Sequence, residues 1–132
     1  MSISPWSQDC RLVSPDGRRI ARIDETDEIG MGSPTSGILE VTGCKPIFDC
    51  NPSLVWSVDS RFLAVPIWNY RDRSQRLFIF WSEREAGRFA PGTYRVLELE
   101  SFSDNVVRGV DSPVHHPRPI VVDIGPLLAY WG

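Results

Sequence analysis

The sequence predicts an all-β fold of antiparallel meander sheets, and three observations carry that expectation. Ser14-Pro15-Asp16-Gly17-Arg18-Arg19-Ile20-Ala21 returns about 43 residues later as Ser57-Val58-Asp59-Ser60-Arg61-Phe62-Leu63-Ala64, a spacing typical of repeated β-sheet units. Short apolar runs recur about every ten residues between turn-forming residues. No stretch shows the 3.6-residue periodicity of a long amphipathic helix.

The runs predict strands at Arg11–Val13, Arg19–Asp24, Gly37–Thr42, Pro46–Asp49, Leu54–Ser57, Arg61–Tyr70, Arg76–Ser82, Thr93–Glu100, Asn105–Val110, Pro119–Asp123 and Leu127–Trp131. Pro15-Asp16-Gly17, Asp49-Cys50-Asn51-Pro52, Asp59-Ser60, Asn69 to Ser74 and Pro91-Gly92 supply the turns, because Gly, Asn and Asp tolerate left-handed backbone and Pro presets φ. Phe62, Ala64, Trp68 and Tyr70 share one face of their strand, and Leu63, Val65 and Ile67 share the other. A strand apolar on both faces belongs between two layers. The run Leu77 to Trp81 has the same property, so the two are expected to be antiparallel neighbours in the densest part of the core. Pro66 cannot donate to a ladder and marks a bulge or a side without a partner. Ser82-Glu83-Arg84-Glu85 resembles a capping box for one helical turn, inside a long hairpin loop from Glu83 to Gly92 that rejoins the sheet at Tyr94.

At 132 residues the chain is one domain by length. A formal net charge of −3 and no dense basic stripe argue against a nucleic-acid partner. No apolar run is long enough for a membrane span, and the N-terminus lacks a secretory pattern, so a cytoplasmic location is expected. Of the fourteen basic residues, Lys45 is the one lysine. Cys10, Cys44 and Cys50 have no paired zinc spacing. They read as three thiols in a reducing compartment, with a Cys44–Cys50 disulfide as the alternative in an exported protein.

Leu54-Val55-Trp56-Ser57-Val58-Asp59-Ser60-Arg61-Phe62-Leu63-Ala64-Val65 resembles the W-S-P-D-G/S-x-x-[IL]-A phrase of TolB-like and WD-repeat-like β-propeller blades. Ser14 to Ala21 is similar, with Val13 in the place of the Trp. The resemblance implies one blade-like unit over about 10–50, a second over about 53–100, and a partial third over 105–131. It also implies that Arg76 to Trp81 is the third strand of the second unit and Thr93 to Glu100 its fourth. Closed propellers need about four to eight blades. Two arrangements remain open: an open sandwich-like stack, or a homo-oligomer that completes a ring.

No catalytic signature emerges. There is no G-x-S-x-G, and Gly30, Gly32 and Gly37 do not form a phosphate-cradling loop. Asp24, Glu25, Asp27 and Glu28 read as a solvated acidic loop, and metal binding through Asp24, Asp27 and Glu28 lacks the glycine and spacing of a calcium loop, so no metal or cofactor is expected. Asp16 and Asp59 read as turn residues bonded to nearby backbone. His115 and His116 are adjacent and flanked by prolines, leaving at most one to face a site. Aromatic residues beside arginines have the composition of binding hot spots. The expected function is therefore a non-catalytic protein–protein interaction module, of the adaptor, inhibitor or toxin-neutralising immunity type. Its interface is assigned to Trp68, Tyr70, Arg71, Arg73, Arg76, Glu83, Arg84 and Arg88, and its partner is another protein. The alternatives are a carbohydrate-binding oligomeric propeller and an unrecognised hydrolase using His115 or His116.

Overall fold

In the computed structural model, which describes residues 2–24, 26–28 and 33–131, the chain is all-β with antiparallel sheets and one short helix. Glu25, Gly30 and Gly32 lie outside the described residues. A first meander consists of β1 (Cys10–Val13), β2 (Ile20–Ile23), β4 (Thr35–Val41) and β5 (Ile47–Cys50), with the two-residue β3 (Asp27–Glu28) added on β4. A second consists of β6 (Val55–Trp56), β7 (Phe62–Asn69), β8 (Ser74–Trp81) and β9 (Ala86–Phe89). A single pair, Cys50↔Ile67, joins the two meanders into one sheet. β10 (Leu97–Ser103), β11 (Val106–Asp111) and β12 (Arg118–Asp123) make a separate three-stranded sheet, followed by α1 (Gly125–Trp131). No helix among the described residues is long and apolar enough to cross a membrane.

The two related turns are held by the same bonds. In the first, the Ser14 hydroxyl donates to Asp16 Oδ1 (2.6 Å) and accepts the Arg19 N–H (3.1 Å), while Arg18 N–H donates to Asp16 Oδ1 (3.0 Å). In the second, Ser57, Asp59, Arg61 and Phe62 repeat each contact at 2.6, 3.0 and 3.1 Å. The position needing left-handed backbone is Gly17 in one turn (φ 74°) and Ser60 in the other (φ 66°). The turns also touch, since Asp16 N–H donates to Ser60 Oγ at 2.9 Å. A side-chain oxygen that accepts backbone N–H groups offers the chain an alternative to a ladder, which is why Ser and Asp fix a tight turn here.

β7 and β8 pair in unbroken register from Phe62↔Trp81 to Asn69↔Ser74. On one side Leu63, Val65 and Phe80 are buried with Ile23, Leu39, Val41 and Cys50 of the first meander. On the other side Phe62, Ala64, Leu77 and Ile79 are buried with Leu97, Leu99, Phe102 and Val107 of the three-stranded sheet. The second meander is thus the middle of three layers, and its doubly apolar strands follow from that position. Pro66 causes no bulge: its carbonyl accepts Asn51 N–H at 2.9 Å, and its nitrogen faces the same way, into the gap where β7 passes from pairing with β6 to pairing with β5.

Three expectations are corrected. Leu127–Trp131 is helical, because Pro126 suits a first helical turn, Asp123 Oδ1 accepts the Gly125 N–H (2.8 Å), and Leu127, Leu128 and Trp131 then pack on the core from one face. The segment expected as a hairpin loop from Glu83 is a 3-10 turn, Ser82–Arg84, and then β9. β9 is the fourth strand of its meander, whereas the residues expected in that place lead to β10 of the other sheet. Tyr94 does rejoin, through a bridge to Gln75. Gly87 made β9 illegible as a strand. The Phe78 ring lies where a Cβ at Gly87 would stand, so the apolar cover for this strand comes from its neighbour.

Candidate functional site

Following the antiparallel path, residues 24, 26–28 and 33–34 and the segments around 51–54, 70–73, 90–96 and 112–117 all fall at one end of the layers. The repeated turns, the 3-10 turn and α1 fall at the other. The interface residues expected from the sequence are split by this arrangement. Trp68, Tyr70, Arg71 and Arg73 lie at the first end, with Arg76 just inside β8. Glu83 and Arg84 lie at the opposite end, beyond the eight residues of β8, a separation of about 25 Å at the usual rise per residue. They do not form one patch. Arg84 stacks its guanidinium 4.5 Å from the Trp81 ring centre, and Arg76 stacks 4.4 Å from that of Phe89, so both have structural roles beside any other. Arg88 lies on β9, paired with Ile79.

At the first end, Trp68, Tyr70 and Arg73 line one cleft of about 510 Å3, together with Ser33, Pro34, Arg95 and Val96. Each wall is fixed by a local bond. Trp68 is buried, and its indole N–H donates to the Thr35 carbonyl at 3.4 Å. The same carbonyl accepts Asn51 Nδ2 at 2.9 Å. Asn51 is fully buried, and it also donates to the Pro5 carbonyl (2.8 Å) and accepts the Ser53 N–H (3.0 Å). Tyr70 is half exposed, with its hydroxyl 3.2 Å from Ser36 Oγ. Asn69 Oδ1 accepts the Arg71 N–H, and Ser74 Oγ donates to Asp72 Oδ1. These bonds close a turn that holds Arg73 at φ 56°, a left-handed conformation that costs a side-chain-bearing residue about 1 kcal/mol.

Arg95 is set by the opposite wall. Asp111 Oδ1 accepts the N–H groups of Arg95 (3.0 Å) and Val96 (3.2 Å), and Ser112 N–H donates to the Val96 carbonyl at 2.8 Å. Among the described residues the ion pairs are those of Arg22 and Arg61. Arg73 and Arg95 therefore present guanidinium groups without a carboxylate. The sequence offered no signal for Arg95, which reaches the cleft only because the 90–96 segment crosses between sheets.

Other groups are less suited to chemistry. His115 and His116 are exposed on the 112–117 loop, and neither hydrogen-bonds a hydroxyl, thiol or carboxylate among the described residues. Asp16 and Asp59 serve the turns. The Ser14 hydroxyl, followed by the Arg18 N–H, holds the Asp16 carboxyl below its ordinary range. No three His, Cys, Asp or Glu side chains converge as a metal site among the described residues. Cys10, Cys44 and Cys50 are all free. Burial pushes the Cys10 thiol up to about 11 and raises Cys50 further. No known family, curated protein or solved structure matches this chain.

Proposed function

We propose that this protein is a non-catalytic protein-binding module, in the manner of a small adaptor, inhibitor or toxin-neutralising immunity protein, and that it binds through the Trp68–Tyr70–Arg73–Arg95 cleft. The observation that carries the reading is the pair of guanidinium groups outside the ion pairs of the described residues, beside an exposed tyrosine on a rim of loops at one end of the three layers. Arginine and tyrosine are the side chains that dominate binding energy at protein interfaces. Three unpaired thiols support a reducing, cytoplasmic setting.

The blade reading rests on the two matching turns and the two four-stranded meanders. Ring completion by further copies is disfavoured by the outward faces. Arg11, Arg22 and Glu40 stand in a row across the first meander, and Glu100 and Arg108 are exposed on the last sheet. Charged outer faces let a stack of layers end in water. Trp56 and Trp68 are buried and Trp81 packs against Phe62 and Trp131, so these three indoles offer little open face for stacking on a sugar.

Affinity capture with the intact chain, run beside the Arg73→Ala/Arg95→Ala double variant, tests the proposal. The wild-type chain is expected to retain a stoichiometric protein that the equally stable double variant loses, while a glycan array stays blank. Equal retention by both chains, or a glycan signal, would overturn it.

A further inference from the structure

We infer that the cleft recognises an acidic peptide segment of the partner, with an Asp or Glu carboxylate held between Arg73 and Arg95 and a neighbouring aromatic or apolar side chain laid on Tyr70. This rests on the protein-binding reading and names the ligand chemistry of the same site. Two cations project from separate elements, the β7–β8 turn and the 90–96 segment, into one cleft. Two carboxylates on the same walls bond elsewhere in the fold: Asp111 accepts two backbone N–H groups and the Ser112 hydroxyl, and Asp72 accepts the Ser74 hydroxyl. Neither guanidinium takes part in an ion pair among the described residues, so both can turn their N–H donors to an acidic ligand.

The donor set favours a carboxylate over a phosphate. Phosphate sites commonly add a nest of free backbone N–H groups. Here the N–H groups of Arg95, Val96 and Arg71 are all committed within the fold. What remains is guanidinium, whose planar fork pairs in two bonds with a carboxylate as with a phosphate, so the missing nest is what favours the carboxylate. The cleft volume of about 510 Å3 falls within the roughly 300–1,000 Å3 usual for ligand clefts, enough for a short side-chain cluster and not for a folded element. The exposed Tyr70 supplies an apolar wall that a lone inorganic anion would leave wet. Arg73 also occupies a left-handed position where glycine is the least strained residue, so its side chain is not required by the turn.

The test uses fluorescein-labelled decapeptides of alternating Glu and Tyr, Gln and Tyr, or phosphoserine and Tyr, read by fluorescence anisotropy against the full chain. The Glu/Tyr peptide is expected to bind, with at least a tenfold loss on Arg73→Ala, Arg73→Gly or Arg95→Ala. Replacing Glu by Gln in the peptide is expected to cost at least tenfold as well. Arg108→Ala, the same charge change on the far sheet, is expected to leave binding unchanged. Because Arg73→Gly relaxes the turn, its thermal midpoint is expected to equal or exceed that of the wild type, which separates lost binding from lost folding. Equal binding of the Gln peptide, no binding of the Glu peptide, or an equal loss in Arg108→Ala would overturn the inference. Tighter binding of the phosphoserine peptide would replace it with a phosphate site. If those failures occur while the captured partner is still lost by Arg73→Ala/Arg95→Ala, the ligand class falls and the binding module stands. If capture is also indifferent to the double variant, both fall.

Discussion

Asn51→Ala is the substitution that should couple the core to the cleft most directly. The Asn51 side chain makes three bonds in full burial, to the carbonyls of Pro5 and Thr35 and from the Ser53 N–H. Each is worth about 1 kcal/mol net, and an orphaned buried N–H adds a desolvation penalty. The Pro5 and Thr35 carbonyls keep other donors, Thr35 N–H at 3.1 Å and the Trp68 indole at 3.4 Å. The Ser53 N–H loses its acceptor. The expected loss is about 3–4 kcal/mol, a large share of the roughly 5–15 kcal/mol that holds a domain together. With an unfolding entropy of about 2.1 cal/mol/K per residue over 132 residues, that corresponds to a fall of about 11–14 °C in the thermal midpoint. Calorimetry and urea titration measure it. Asn51→Asp sharpens the reasoning, since it keeps the acceptor for Ser53 but turns an oxygen towards two carbonyls. Burial and those carbonyls raise its folded pKa, so Asn51→Asp should be less stable than Asn51→Ala at pH 7 and recover as the carboxyl protonates in acid. A loss below about 1 kcal/mol in Asn51→Ala, or a more stable Asn51→Asp at pH 7, would refute the account.

Further outcomes are expected from the same physics. Gly87→Ala drives a methyl into the Phe78 ring, which is stacked on Phe80 and tilted against Phe89, and should cost about 1–3 kcal/mol by overpacking; urea midpoints read it, and a neutral result would mean the ring moves freely. Ser57→Ala removes the acceptor for the buried Phe62 N–H and should cost about 1–3 kcal/mol, without altering binding at the opposite end. Burial raises the Cys10 thiol from 9.0 to about 11, so its stabilising contribution is complete below about pH 9 and is lost as pH rises towards 11. Urea titrations across that window should show a decline that Cys10→Ala flattens. In the native state at pH 8, a thiol reagent should modify half-buried Cys44 well before buried Cys10 and Cys50; three equal rates would contradict the packing.

Much of the layering was legible because it is written in local pattern. The doubly apolar runs at Phe62 and Leu77 specify strands covered on both sides, and Ser14-Pro15-Asp16-Gly17 specifies a turn through its own side chains. Elements whose cover comes from elsewhere were not legible. β9 contains Gly87 and Arg88 and owes its place to Phe78. α1 shares its composition with a strand, and only the packing of Leu127, Leu128 and Trp131 against one core selects the helix. The cleft was half legible: the Trp68-to-Arg73 stretch is contiguous, but Arg95 arrives from another sheet, and Glu83 and Arg84 are carried away by the length of β8.

By itself, then, the sequence determined the β class, the two tight turns and the strands that form the middle layer, since each depends on residues near one another in the chain. Tertiary structure alone decided which strand closes each meander, that the C-terminus is helical, and which arginines meet. Those outcomes depend on side chains far apart in sequence competing for one buried surface, and no local spacing encodes that competition.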